Sequence, residues 1–164
     1  MKNPVNPDLQ LWMGAIERVY RAGIRNIVAI HRGFTPFGET KYRNYPNWQI
    51  VIELKRLMPE VPVICDPSHI SGKREYLFEI AQKAFDMGLE GLMLESHIDP
   101  TCALSDKEQQ LTPADLAKLL DRLVIRHQSA DNPQFENQLE MLRNRIDSLD
   151  NELLEVLSSR MDIV

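Results

Sequence analysis

Three times along this chain a short run of branched apolar residues is followed by a polar cluster and then by a helix-length amphipathic stretch. The runs lie at residues 26–31 (Asn26-Ile27-Val28-Ala29-Ile30-His31), 61–65 (Val61-Pro62-Val63-Ile64-Cys65) and 91–95 (Gly91-Leu92-Met93-Leu94-Glu95). Each has the length and composition of a buried strand. Pro62 sits at the entry of its run, where a missing ladder donor costs least. Helices are expected at 47–58, stopped by Pro59, at 73–87, stopped by Gly88, and from Pro113 to about residue 127. Thr112-Pro113-Ala114-Asp115 opens the last of these with a capping hydroxyl, a first-turn proline and an early acid. A helix at 8–22 precedes them, with Leu11, Trp12, Ala15, Ile16 and Val19 on one face and Gly23 as its stop. Strands that alternate with helices predict successive βα units in a parallel sheet, an α/β fold.

In such sheets, sites form at the C-terminal ends of the strands. The polar clusters fall there: His31-Arg32-Gly33, Asp66-Pro67-Ser68-His69 and Glu95-Ser96-His97, each expected as a loop or strand end. His69, Glu95 and Asp106 together offer one nitrogen and two carboxylates, a set suited to a divalent ion such as manganese, iron, cobalt or zinc. Residues of these types also occur as ordinary hydrogen-bonded groups, and Cys65, Cys102 and His97 are competing donors. Lys2, Arg32, Arg43, Lys73 and Arg74 form a second group, suited to phosphate or carboxylate or simply solvated.

Composition narrows the function classes. A net charge of −5 argues against nucleic acid as partner. No apolar run reaches the length of a membrane span, and no secretory signal opens the sequence. Two cysteines cannot make a disulfide framework, which points to a reducing cytoplasm.

A break without large apolar residues follows at 128–134 and reads as a linker, bounded at 128–135. Beyond it Leu139, Leu142, Ile146, Leu149, Leu153, Val156, Arg160 and Ile163 alternate in steps of three and four, the seam of one long helix. Arg160 is the polar intruder, a costly charge unless it meets an anion, or else a side chain snorkelling at a helix end. Arg143 lies roughly 25 Å away along a continuous helix, too far for both to reach one small dicarboxylate from a single chain.

Lys2-Asn3-Pro4, His31-Arg32-Gly33, Asp66-Pro67-Ser68-His69, Leu94-Glu95-Ser96-His97 and Ala103-Leu104-Ser105-Asp106 with Gln109-Gln110 resemble the C-terminal half of a 3-deoxy-7-phosphoheptulonate (DAHP) synthase of the short bacterial subtype. The tail, from Leu142-Arg143-Asn144-Arg145-Ile146-Asp147 to Arg160, resembles the first helix of the all-helical chorismate mutases. The resemblance implies a bifunctional arrangement: residues 1–127 as the C-terminal half of a (β/α)8 TIM barrel, 128–135 as linker, and 136–164 as one mutase helix.

It further implies condensation of phosphoenolpyruvate with erythrose 4-phosphate, with His69, Glu95 and Asp106 as three of four metal ligands. The fourth is a cysteine that neither Cys65 nor Cys102 matches. Arg32 and Lys2 match residues that hold phosphoenolpyruvate, and Asp66 matches a loop residue beside the metal histidine, with an orienting role. Arg43, in the loop after the His-Arg-Gly strand, is expected to help hold a substrate phosphate or the closed loop. Arg143 and Arg160 would bind chorismate, Arg160 of one chain with Arg143 of a partner, in a homo-oligomer formed through the C-terminal helix. Two alternatives stand beside this reading: the related 3-deoxy-octulosonate 8-phosphate synthase, and a non-catalytic half-barrel with a helical dimerisation element.

A closed barrel has eight strands; three are expected here, with the end of a fourth at Met1-Lys2-Asn3. The sequence is therefore expected to be an internal segment of a longer polypeptide, inactive by itself.

Overall fold

The computed structural model describes residues 1–125 and 133–161. It divides into two compact units, Met1–Arg126 and His127–Val164. In the first, α1 (Leu9–Arg21), β1 (Ala29–His31), α2 (Trp48–Leu57), β2 (Val63–Cys65), α3 (Pro67–Ser71), α4 (Leu77–Asp86), β3 (Gly91–Leu92) and α5 (Pro113–Arg122) follow in order. The strands form one parallel sheet in the order β1-β2-β3, with Ala29 opposite Val63 and Ile64 opposite Gly91. Lys2 bridges Ile30 on one flank and Ser96 bridges Leu111 on the other, both parallel. The fourth strand end at Met1-Lys2-Asn3 thus has its rung, and Leu111 adds a further one that the sequence pattern did not suggest.

The core lies on the helix-covered face. Trp12 and Ile16 of α1, Val51 and Leu54 of α2, and Ile80 and Ala84 of α4 pack with Ala29, Val63 and Cys65. Ile30 and Ile64 point to the opposite face and are only half-buried. Leu11, expected on the buried face of α1, is 47% exposed. Asp8 caps that helix by accepting a hydrogen bond from the Leu11 amide.

The strands are shorter than their apolar runs. The Ala29 amide makes the first rung, to the Pro62 carbonyl. Pro62 has no N–H to donate, so pairing of 26–28 or 61–62 is not extended. The stretch Asp66-Pro67-Ser68-His69, expected as a loop, is instead the start of α3. Asp66 caps it through the His69 amide, and Pro67 takes the first position, where its missing N–H is harmless. The helix expected at 73–87 begins as a 3-10 turn at Arg74–Tyr76 before α4. The one expected to reach 127 stops at Arg122, because Leu123 is extended and the Val124 amide donates to Gln82 Oε1 instead.

The second unit is α6, Pro133–Met161. Residues 128–132 of the expected linker lie outside the described residues, as does Ile163. Residues 133–135 are helical, with Pro133 at the first position. Leu139, Leu142, Ile146, Leu149, Leu153 and Val156 are exposed along it. No helix among the described residues is long and apolar enough to cross a membrane.

Candidate metal centre

The segments that follow β2 and β3 bring His69 (from α3), Glu95 (just after β3) and Asp106 (from the longer loop before α5) to one place. One donor atom from each lies within 4.8 Å of the other two, and all three residues are half-buried. Asp106 holds φ 51°, a left-handed conformation that aspartate tolerates better than most residues.

His69 is fixed from both sides. Its amide donates to Asp66 Oδ1 at 3.1 Å, and Asn44 Nδ2 donates to its carbonyl at 2.7 Å. Its ring Nδ1 lies 2.8 Å from Oδ2 of the fully buried Asp66, and Nε2 lies 3.7 Å from Glu95 Oε1. Lys2 Nζ is 3.1 Å from the same Asp66 oxygen. These are ion-pair distances off the line of a hydrogen bond, so Asp66 Oδ2 and His69 Nδ1 are buried without an aligned partner. A carboxylate against one ring nitrogen leaves the other as the ligand atom.

The carboxylates are held as firmly. The Glu95 amide donates to Ser68 Oγ at 3.0 Å, and Glu95 Oε2 accepts from Gln109 Nε2 at 2.8 Å. Arg43 Nη1 donates to Asp106 Oδ1 at 2.7 Å and to Gln109 Oε1 at 3.0 Å. That guanidinium holds the Asp106 carboxyl below the usual range, against a smaller desolvation effect. Arg43 arrives on a loop that returns over α3, with its amide on the Ser71 carbonyl. Gly72 permits the approach: its φ is +68°, and a Cβ there would stand 2.7 Å from Arg43 Cβ.

The cations separate into two kinds. Arg74 is a clamp, its guanidinium donating to the Gln110 and Lys107 carbonyls at 2.6 Å each. Arg32 is held only through its backbone, its amide donating to Asn3 Oδ1 at 2.7 Å. Among the described residues its guanidinium has no ion pair or hydrogen bond. Arg43 and Lys73 line a cavity of about 470 Å³ beside Asp106. Arg143 and Arg160 are exposed on the unbroken α6.

His31, next to Arg32, is a core residue. It is fully buried, with its ring 5.1 Å from Trp48 and 5.7 Å from Phe34. Burial pushes its pKa down to about 3, with the Pro46 carbonyl and the Asp66 charge only partly opposing. Cys65 is buried with its thiol pushed up by desolvation, and Cys102 is exposed. Neither belongs to the donor group, nor does His97, whose Nδ1 accepts from the Asp99 amide.

The donor set fits a divalent ion. Three ligands bound at roughly 2.1 Å stand about 3.0–3.6 Å from one another, so donors within 4.8 Å close on an ion when each moves by less than about 1 Å. Asn3, Asn44, Ser68 and Gln109 also support the site; Asn3, Ser68 and Gln109 lie in the segments that carry the resemblance, but the sequence assigns them no role. The signal for Asn3, Ser68 and Gln109 is burial, which spacing does not carry; Asn44 is only half-buried.

A profile of the DAHP synthetase I family matches residues 1–129. The chain belongs to that family. The phospho-2-dehydro-3-deoxyheptonate aldolase of Thermotoga maritima is 32% identical over 95 residues, 58% of this chain and 28% of the relative. A 2-dehydro-3-deoxyphosphooctonate aldolase from Trichlorobacter lovleyi is 30% identical over 124 residues, 66% of this chain and 42% of the relative. A crystal structure of the Thermotoga maritima enzyme superposes with a TM-score of 0.64 at 25% identity, over 73% of this chain and 35% of that one. A truncated form of 3-deoxy-D-arabino-heptulosonate 7-phosphate synthase from the same organism gives the same score at 24% identity, and this chain covers 45% of it. The chain thus spans less than half the length of these family members.

Proposed function

We propose that residues 1–127 are the C-terminal half of a (β/α)8 barrel that condenses phosphoenolpyruvate with erythrose 4-phosphate. The observation that carries this reading is the convergence of His69, Glu95 and Asp106 at the C-terminal mouth of a parallel sheet, in which β1 is followed directly by an uncommitted arginine, Arg32. The half-buried Ile30 and Ile64 suit the interior of a barrel whose other strands lie outside these residues.

His69 Nε2, Glu95 and Asp106 would hold a divalent ion of the manganese, iron, cobalt or zinc class, with Asp66 fixing the imidazole. Such an ion supplies a Lewis acid for the aldehyde oxygen. Arg32 binds the carboxylate or phosphate of phosphoenolpyruvate, and Lys2, anchored by Asp66, adds a second positive charge. Arg43 stands where a substrate phosphate can meet the guanidinium face not used by Asp106 and Gln109. Together these cations offset the repulsion between two phosphorylated reactants and align them. In the reaction the methylene carbon of phosphoenolpyruvate bonds to the aldehyde carbon, water adds at the enol carbon, and inorganic phosphate leaves.

The test is phosphate release by the polypeptide that carries these residues, with erythrose 4-phosphate or arabinose 5-phosphate as co-substrate. Metal-dependent turnover preferring erythrose 4-phosphate at least tenfold supports the reading. Preference for arabinose 5-phosphate would establish the octulosonate reaction, which the 2-dehydro-3-deoxyphosphooctonate aldolases among the relatives keep as the second reading. Residues 1–164 alone are expected to show negligible turnover.

For the tail we propose the first helix of a chorismate mutase. An unbroken α6 keeps Arg143 and Arg160 roughly 25 Å apart, so one chorismate would meet Arg160 of one chain and Arg143 of another. Sedimentation showing a dimer, and loss of chorismate turnover in Arg160→Ala of the whole polypeptide, would support it; full activity in that variant would sink it.

A further inference from the structure

Gln109 is 1% exposed, and its amide bonds one candidate ligand, Glu95, directly and is linked to a second, Asp106, through Arg43. A buried amide must place both its donor and its acceptor. Here the acceptor is committed, because Arg43 Nη1 donates to Gln109 Oε1 at 3.0 Å and to Asp106 Oδ1 at 2.7 Å. A guanidinium has no acceptor, so the amide cannot flip without facing N–H to N–H. Its nitrogen is thereby aimed the other way, and Nε2 donates to Glu95 Oε2 at 2.8 Å.

The consequence falls on the geometry of Glu95. With Oε2 taken by the amide, Oε1 is the oxygen that faces His69 Nε2, 3.7 Å away. That gap is too wide for a hydrogen bond and suits two ligands of one ion. The backbone of Glu95 is fixed separately, by Ser68 Oγ at 3.0 Å, so the amide governs the side chain alone. Asp106, Arg43, Gln109 and Glu95 form one continuous hydrogen-bonded chain.

We propose that Gln109 is a positioning residue for the metal centre: its amide, oriented by Arg43, holds Glu95 with a single carboxylate oxygen presented beside His69 Nε2. This rests on His69, Glu95 and Asp106 being the ligands. Gln109 does not touch the ion; it sets which oxygen of Glu95 does. Losing such an outer partner typically weakens metal affinity by about 10- to 100-fold.

The experiment is cobalt(II) titration of the full chain, followed by its visible absorption and by chelator competition, with thermal unfolding of the metal-free protein in parallel. Gln109→Met removes both hydrogen bonds at similar volume. Gln109→Asn keeps a buried amide but is one methylene too short to span both partners. Both variants are expected to bind cobalt roughly 10- to 100-fold more weakly, with a changed absorption band and a metal-free melting temperature within a few degrees of the parent. A purely structural role would lower the melting temperature and leave the band shape alone, and that pattern overturns the inference. So do affinities within twofold of the parent, or failure of both variants to fold. A parent chain that binds no cobalt overturns the assignment of the ligands themselves, and this inference with it.

Discussion

Residues 1–125 and α6 treat their apolar and charged side chains in opposite ways. In the first region Trp12, Ile16, Val51, Leu54 and Val63 are all buried, and the carboxylates at the sheet mouth are tied to neighbours from distant parts of the chain. In α6 six seam residues, Leu139 to Val156, are each at least 37% exposed. The difference separates pattern from environment. An apolar repeat states which face a helix prefers to cover, whereas stability comes only from the surface that covers it. The seam of α6 is a sequence-level demand; the core under β1–β3 is a demand already met.

Several substitutions would sharpen or break that contrast. The largest effect is expected for Trp12→Ala, about 3–5 kcal/mol of unfolding free energy in urea melts. Its ring is fully buried and its Nε1 has no hydrogen-bond partner, so the loss is one of packing. A cost below about 1 kcal/mol would mean that the first region is not an independently stable core. Gly72→Ala comes next, at roughly 1–3 kcal/mol, because a side chain at φ +68° is strained and meets Arg43 Cβ. The same variant should displace Arg43 and weaken metal uptake; an unchanged cobalt titration would detach Gly72 from the site.

His31 provides a pH test of the same burial. Its folded pKa of about 3 lies below the ordinary value of 6.5, so between them the unfolded chain binds more protons than the folded one. Stability is full above 6.5 and declines as pH falls below it, by about 1.4 kcal/mol at pH 5.5 relative to pH 7.5. His31→Leu should flatten that slope in paired urea melts. A slope that persists in the variant would assign it to other groups.

The smallest effect is expected in α6. Leu149→Ala should change unfolding free energy by less than about 0.5 kcal/mol in dilute protein, as at other exposed positions. A cost above about 2 kcal/mol that depends on protein concentration would show the seam meeting a second surface, and would erase the contrast between the regions.

The order of elements, the parallel sheet and the grouping of His69, Glu95 and Asp106 were legible because they follow from local pattern: apolar period, capping residues and polar clusters after strands. Asp66 was legible as a partner of His69 through the resemblance, but its capping of α3 through the His69 amide was not foreseen. Nor were the rung at Leu111 and the commitment of Arg74 to backbone carbonyls. The rung and the Arg74 clamp join segments that meet only in the packed chain, and spacing holds no information about them; the cap is local, and its Asp-Pro start reads as a loop in the sequence instead.

By itself, then, the sequence determined the α/β class and the strand ends as the place where candidate donors gather, since residue type and local periodicity suffice for both. The residues alone left Cys65, Cys102 and His97 as competing donors, and the resemblance singled out His69, Glu95 and Asp106. Only the tertiary structure decided which oxygen of Glu95 faces His69, which arginine stays uncommitted and which histidine is sealed in the core. Those outcomes depend on burial and on hydrogen bonds between distant segments, which exist once the segments have packed.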